Sequence, residues 1–311
     1  MKKICTTIRP LDFGGTVFDE LDSYASIIEK AGANAINFNF KYINSDLLGL
    51  PENYLGMKLK CIFDSHGIKT PITHAPFIGN FNFPAQGKLE RIEDLKDLIL
   101  MSLLVSKTLG AHTTVVHSGI SFKDDVYNED RTVQDNVKFY LPICMEAKKL
   151  GIKLAIENNV NENRTEVGDI IEPGVNVLNR ICDELNNVFK SDVMGICFDV
   201  GHSNIATNNP YEELKKTQKN LQTLHIHNNM GLIDANHVWE SDMHSALSLG
   251  KIDNARIFDI LNEMDFKKDV VIESIYRGDK ENIGYHIIND NTFAKTHYES
   301  FKQSEEVMED D

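Results

Sequence analysis

Five short apolar stretches each end in a side chain able to bind a divalent cation: Thr114-Val115-Val116-His117, Leu154-Ala155-Ile156-Glu157, Gly195-Ile196-Cys197-Phe198-Asp199, Thr223-Leu224-His225 and Val270-Val271-Ile272-Glu273. A short apolar run without alternation is the pattern of a strand buried on both faces. A charge set directly after such a run is costly unless it is paired or metal-bound. Glu157, Asp199, His225 and Glu273 form an oxygen-rich, borderline-hard set suited to one Mn, Mg, Co or Zn ion. Three carboxylates and one imidazole leave room for two oxygens of a substrate or water, on which the ion would act as a Lewis acid. Glu157 and Glu273 are then placed for proton transfer: one removes a proton α to a carbonyl, and the other returns it to the far face. The reaction class that follows is epimerisation or isomerisation next to a carbonyl through a metal-stabilised ene-diolate.

The elements that must position these residues alternate along the whole chain. Strand signals cover Lys3–Thr7, Ala35–Phe40, Thr70–His74, Thr114–His117, Lys153–Glu157, Met194–Asp199, Thr223–His227 and Val270–Glu273. Helical patterns cover Val17–Ala31, Ser45–His66 with a break near Pro51, Lys88–Leu109, Thr132–Leu150, Val175–Phe189, Tyr211–Asn220 and Asn254–Met264. Gly32, Gly110 and Gly151 read as helix C-caps, and Pro142 is expected to kink its helix or start a new turn. Eight βα units in 311 residues predict an α/β fold, a single (β/α)8 barrel with outer helices over residues 1–303 and an acidic tail at 304–311. Ligands at the ends of successive barrel strands converge on one face; an open doubly wound sheet would converge them less completely.

Composition bounds the function. A net charge of −15 argues against a nucleic-acid partner without excluding a local basic patch. No apolar run is long enough to span a membrane, and the N-terminus reads as a strand rather than a signal peptide. Five cysteines without a CxxC pair point to reduced thiols and a cytoplasmic location, with Cys197 packed in the barrel.

Seven segments occur in order on this frame: Thr73-His74-Ala75-Pro76-Phe77, Val115-Val116-His117-Ser118-Gly119, Ala155-Ile156-Glu157-Asn158-Asn159, Cys197-Phe198-Asp199-Val200-Gly201-His202, Leu224-His225-Ile226-His227-Asn228-Asn229, Asp242-Met243-His244 with Leu249-Gly250-Lys251-Ile252-Asp253, and Val271-Ile272-Glu273-Ser274. In these the chain resembles the xylose-isomerase-like TIM barrels, which include sugar isomerases and epimerases, inosose-type dehydratases and endonuclease IV. The resemblance implies that Glu157, Asp199, His225 and Glu273 hold one catalytic divalent cation. It also implies a sugar, sugar-phosphate or cyclitol substrate, and pairing into a homo-oligomer through helical faces.

Endonuclease IV is the competing resemblance. His74, His117, Glu157, Asp199, His202, His225, Asp242, His244 and Glu273 match its nine ligands by type, which would imply three Zn ions and cleavage of abasic DNA. Against it, Asp242 lies 17 residues after His225 and Gly250 follows His244 by six, a spacing that resembles the sugar-epimerase loop. Thr73-His74-Ala75-Pro76-Phe77 also resembles the sugar branch. The segments after the second and third strands lack the Lys/Arg clusters that hold a phosphate backbone. A barrel that binds a sugar or metal without turnover is the third reading.

In the sugar reading His74, His117, His202 and His244 line the substrate pocket, and Trp239 stacks on a sugar face or anchors its loop. Arg9, Lys41 and above all Arg277 are the cations placed to meet an anionic group. His227 shares a strand face with His225 but leans to a structural role. His66, His112, His237, His286 and His297 carry no motif.

Overall fold

The computed structural model describes residues 2–10, 15–43, 54–78, 81–83, 90–124, 126–160, 173–234, 238–276 and 278–298. The expected tail at 304–311, Arg277, His237 and the first part of the Ser45–His66 helix lie outside the described residues. Eight parallel strands form the barrel: β1 Ile4–Ile8, β2 Ala35–Asn39, β3 Lys69–His74, β4 Thr113–His117, β5 Lys153–Glu157, β6 Met194–Asp199, β7 Leu221–Ile226 and β8 Val270–Ile272. Each pairs in parallel with its sequence neighbour, and β1 also pairs with β8, which closes the barrel. Closure leaves no free edge and sets every strand end on one rim.

The helices wrap the outside: α1 Val17–Lys30, α2 Tyr54–Ser65, α3 Glu90–Leu109, α4 Glu129–Leu150, α5 Val175–Phe189, α6 Val200–Thr207, α7 Pro210–Thr217, α8 Val238–Ser241, α9 Asn254–Glu263 and α10 Lys280–Tyr298. Their boundaries follow local chemistry. Thr16 and Asp19 cap the start of α1 reciprocally. Gly32, Gly110 and Gly151 end α1, α3 and α4 with φ of 74°, 85° and 71°. One strand boundary changes. Phe40 leaves the second strand and opens a 3-10 turn, Phe40–Tyr42, started by Asn39 accepting the Lys41 N–H at 2.9 Å. Pro142 lies inside α4, which runs as one helix. An interior proline costs a helix about 3 kcal/mol. Burial of Phe139, Tyr140, Ile143, Cys144 and Ala147 against the barrel offsets that cost. No described helix is long and apolar enough to cross a membrane.

Candidate metal centre and active site

Inside the barrel, Cys5, Ala35, Ile72, Val115, Ala155, Cys197 and Val271 pack into one small buried cluster. Two positions further along their strands stand Thr7, Asn37, His74, His117, Glu157, Asp199 and Glu273. Alternation sends residues i and i+2 to the same face. The strands that fill the barrel with Ile72, Val115, Ala155, Cys197 and Val271 therefore aim the next inward residue at the carboxyl rim. Thr223 and His225 stand in the same relation on β7. Cys197 is thus a packing residue, as expected from its place before Asp199.

Glu157 is at the centre of the site and 1 % exposed. The His225 Nδ1–H points at its Oε1 at 2.8 Å, and the Nε2 atoms of His74 and His117 lie 3.1 and 3.3 Å from its Oε2. His225 Nδ1 also lies 2.7 Å from Glu273 Oε2 and 3.9 Å from Asp199 Oδ2. Ligand atoms of Glu157, Asp199, His225 and Glu273 all fall within 4.8 Å of one another. That spacing suits a cation whose ligands sit at roughly 2.0–2.6 Å. Burial pushes the Glu157 carboxyl upward, but His225, His117 and His74 together hold it well below the usual carboxylate range. Glu273 is held down at about 2, where His225 outweighs burial. Burial lowers His117 to about 4, so its ring is neutral and able to donate a lone pair. Asp199 serves the local backbone as well, because its side chain accepts the His202 N–H at 2.7 Å and caps α6.

The orientation of the histidines independently fits cation binding. His74, His202 and His244 each direct Nδ1–H to a backbone carbonyl, of Ala75 at 2.8 Å, Asn158 at 2.9 Å and Glu273 at 2.9 Å. Each therefore turns Nε2 toward a carboxylate, of Glu157 at 3.1 Å or Asp242 at 3.5 and 3.2 Å. Donating one ring nitrogen to a carbonyl while the other faces the site is how ligating histidines are usually fixed. Two further donor groups result: His74, His117 and Glu157, and His202, His227, Asp242 and His244. Burial lowers His202 and His244, but Asp199 and Asp242 raise His202 well above its ordinary value, and Asp242 raises His244 to about 9. The same negative surroundings that keep protons on these rings favour a divalent cation in their place.

His227 is the site residue that the sequence pattern undervalues. It lies one position past the end of β7, is fully buried, and its Nε2 is 3.1 and 3.2 Å from the two Asp199 oxygens. Its ring stacks on His244 at 3.8 Å, and its Nδ1 is buried without a hydrogen-bond partner. Gly201 makes the room: a Cβ there would stand 2.0 Å from His227 Cε1. The pairing of Gly201 with a second histidine in His225-Ile226-His227 is the signal the chain offers. The α6 helix is likewise absent from the sequence pattern, since its Gly, Ser, Asn and Thr residues have low helix propensity.

Buried polar groups hold the two loops that carry the rest of the site. Asn228 donates to the Leu247 and Ile252 carbonyls at 2.8 and 3.0 Å and accepts the Ile252 N–H at 3.0 Å. Gly250 permits this docking, because a Cβ there would lie 2.1 Å from Asn228 Oδ1. Asp290 of α10, 2 % exposed, accepts the Leu247 N–H at 3.0 Å, the Ser274 hydroxyl at 2.9 Å and the Tyr276 hydroxyl at 2.8 Å. One carboxylate thereby ties the Asp242–His244 loop to the segment after Glu273. Asp290→Ala would leave buried donors unpaired and should cost about 2–4 kcal/mol. A denaturant midpoint shift measures this, and a loss under about 0.5 kcal/mol would contradict the clamp.

A cavity of about 930 Å³, mouth included, opens over these groups and is lined by His74, His117, Glu157, His202, Asp242, His244 and Glu273. Trp239, 39 % exposed on α8, stands on its rim, as do Arg9 and Lys41. The structure thus brings together every expected site residue that it describes. His66, His112, His286 and His297 do not line this cavity.

A family model described as the xylose isomerase-like TIM barrel matches residues 25–295. No curated protein matches the chain. Among solved structures, a D-tagatose 3-epimerase-like protein superposes with a TM-score of 0.70 at 20% identity, covering 97% of this chain and 99% of that one. The 3-keto-D-glucoside 4-epimerase from E. coli gives 0.67 at 17% identity, with 95% and 100% covered. An AP endonuclease of family 2 from Brucella melitensis gives 0.57 at 10% identity, with 92% and 98% covered. Identities this low carry the fold alone, and the match to the family model carries the membership. The closed eight-stranded barrel and a match over most of its length agree: the chain belongs to the xylose isomerase-like TIM barrel family.

Proposed function

We propose that this protein is a divalent-metal-dependent sugar isomerase or epimerase. The observation that carries the reading is the buried group Glu157, Asp199, His225 and Glu273 at the ends of four successive strands, with donor atoms within 4.8 Å of one another and with Glu157 and Glu273 lining the cavity. A cation held there would supply Lewis acidity to two neighbouring oxygens of the substrate. Glu157 and Glu273 line the cavity, so each carboxylate is placed to take a proton from carbon and return it. His202 and His244 hold protons at neutral pH and can donate hydrogen bonds to hydroxyls or to a developing oxyanion. Trp239 on the rim can cover an apolar sugar face. The test is to follow a panel of ketoses by NMR with protein loaded with Mn, Mg, Co or Zn. Formation of an epimer or aldose that stops on chelation supports the reading, and a silent panel with every metal counts against it.

A second reading is favoured by one observation: the groups His74–His117–Glu157 and His202–His227–Asp242–His244 flank the first, so the donors could hold three cations. Three Zn ions would suit hydrolysis of a phosphate ester, as the resemblance to endonuclease IV implies. Among the described residues, however, Arg9 and Lys41 are the arginine and lysine side chains that line the cavity, few for a duplex backbone. Incubation with an abasic duplex separates the two. Chelator-sensitive incision, with about three Zn per chain, would put the hydrolase first.

A further inference from the structure

Arg9 and Lys41, the arginine and lysine side chains that line the cavity among the described residues, follow neighbouring strands. Arg9 follows β1 and Lys41 follows β2, and with Thr7, Asn39 and the buried Tyr24 they form the side of the cavity supplied by β1, β2 and α1. The carboxylates Glu157, Asp242 and Glu273 come from β5, the loop after β7 and the end of β8. We infer that Arg9 and Lys41, assisted by Thr7, Asn39 and Tyr24, form a subsite for an anionic group, so that the substrate is an acidic sugar derivative, a phosphate ester or a carboxylate. This rests on the sugar reading above and names the substrate class of the same site.

The local structure supports a built subsite. Phe40 is fully buried and sits edge-on to Phe38 at 4.9 Å, which anchors the 3-10 turn. Asn39 holds the Lys41 N–H at 2.9 Å. The turn is thus fixed and its lysine is delivered to the cavity rim. The Lys41 ammonium lies 4.5 Å from the centre of the Phe77 ring, and Phe77 stacks on His117 at 3.8 Å. The lysine is therefore tied to a ring that already contacts the donor groups. Arg9 is close enough to Tyr24 to oppose the upward push of burial on its phenol. Guanidinium, ammonium, hydroxyl and amide together offer charge-assisted and neutral donors that match an oxyanion. In a chain of net charge −15 these are the arginine and lysine side chains that line the cavity among the described residues. Their place after neighbouring strands gives an incoming anion a defined part of the cavity.

The experiment compares equilibrium binding of a hexitol, a hexitol phosphate and an aldonate to the metal-loaded protein. None of the three is an aldose or ketose, so the result does not depend on isomerase activity, and failure of the sugar reading would be seen separately. The wild type is expected to bind at least one anionic ligand roughly tenfold or more tightly than the neutral hexitol. Arg9→Gln with Lys41→Gln should reduce that ratio to near one, and a thermal midpoint close to that of the wild type shows that the variant is folded. Lys41→Arg should retain most of the ratio. The preferred anion assigns phosphate or carboxylate. Equal binding of all three ligands by the wild type would overturn the inference. So would a double variant that keeps the full ratio, since the anion would then be held by the metal.

Discussion

Glu273→Gln is expected to lower turnover by about 10²–10⁴-fold while changing substrate affinity little, as follows from loss of one proton-transfer group. Glu273 is the cleaner of the two glutamates to replace, since among the described residues its side chain forms one ion pair, with His225 Nδ1 at 2.7 Å. Glu157→Gln should lose at least as much activity and disturb the site more widely, because its carboxylate faces His225, His74 and His117 at 2.8, 3.1 and 3.3 Å; an amide serves a cation poorly, so both variants should bind metal more weakly than wild type. Steady-state kinetics on any ketose that reacts, with metal content measured alongside, checks both. Turnover within about threefold of wild type in metal-replete Glu273→Gln would rule out its role in proton transfer.

Removal of the cation is expected to lower the thermal midpoint by about 5–10 °C. A ligand present at 100–1,000 times its Kd stabilises by about 2.7–4.1 kcal/mol, and a chain of this size loses a few degrees per kcal/mol. The physical source is visible in the site. Glu157, Asp199 and Glu273 are each under a tenth exposed and meet at His225. Without a cation their mutual repulsion is met by histidine protons alone. Melting after chelation and again after adding back Mn, Co or Zn reads the effect directly. Identical midpoints in all three states would contradict a cation at this position.

Much of this arrangement is legible in the chain because strand chemistry is periodic. The runs ending at His117, Glu157, Asp199, His225 and Glu273 have one residue per strand end, and alternation fixes which way each faces. Loop geometry is not periodic, and sequence pattern gives no direction there. His227 lies past the last pair of β7, so strand alternation no longer decides its direction; a space next to Gly201 does. Asp290 is remote in sequence from the loops it joins, at |i−j| of 43 from Leu247 and 16 from Ser274, and a lone Asp in a helix carries no mark of such a role. The α6 helix is hidden because its start is set by Asp199 acting as a cap, a role concealed by the residue's more evident promise as a ligand. Phe40 shows the same limit, since an aromatic after a strand reads as more strand until Asn39 turns the backbone.

Exchange of the α-hydrogen of a ketose with solvent tests the central claim most directly, because it reports carbon–hydrogen cleavage whether or not product accumulates. Metal-loaded wild type in deuterium oxide is predicted to place deuterium on a carbon next to the carbonyl of at least one ketose. The exchange should stop on chelation and fall by at least about 10²-fold in Glu273→Gln. Absence of exchange from every ketose and acidic sugar offered, by protein that retains about three Zn ions and incises abasic DNA, would contradict it.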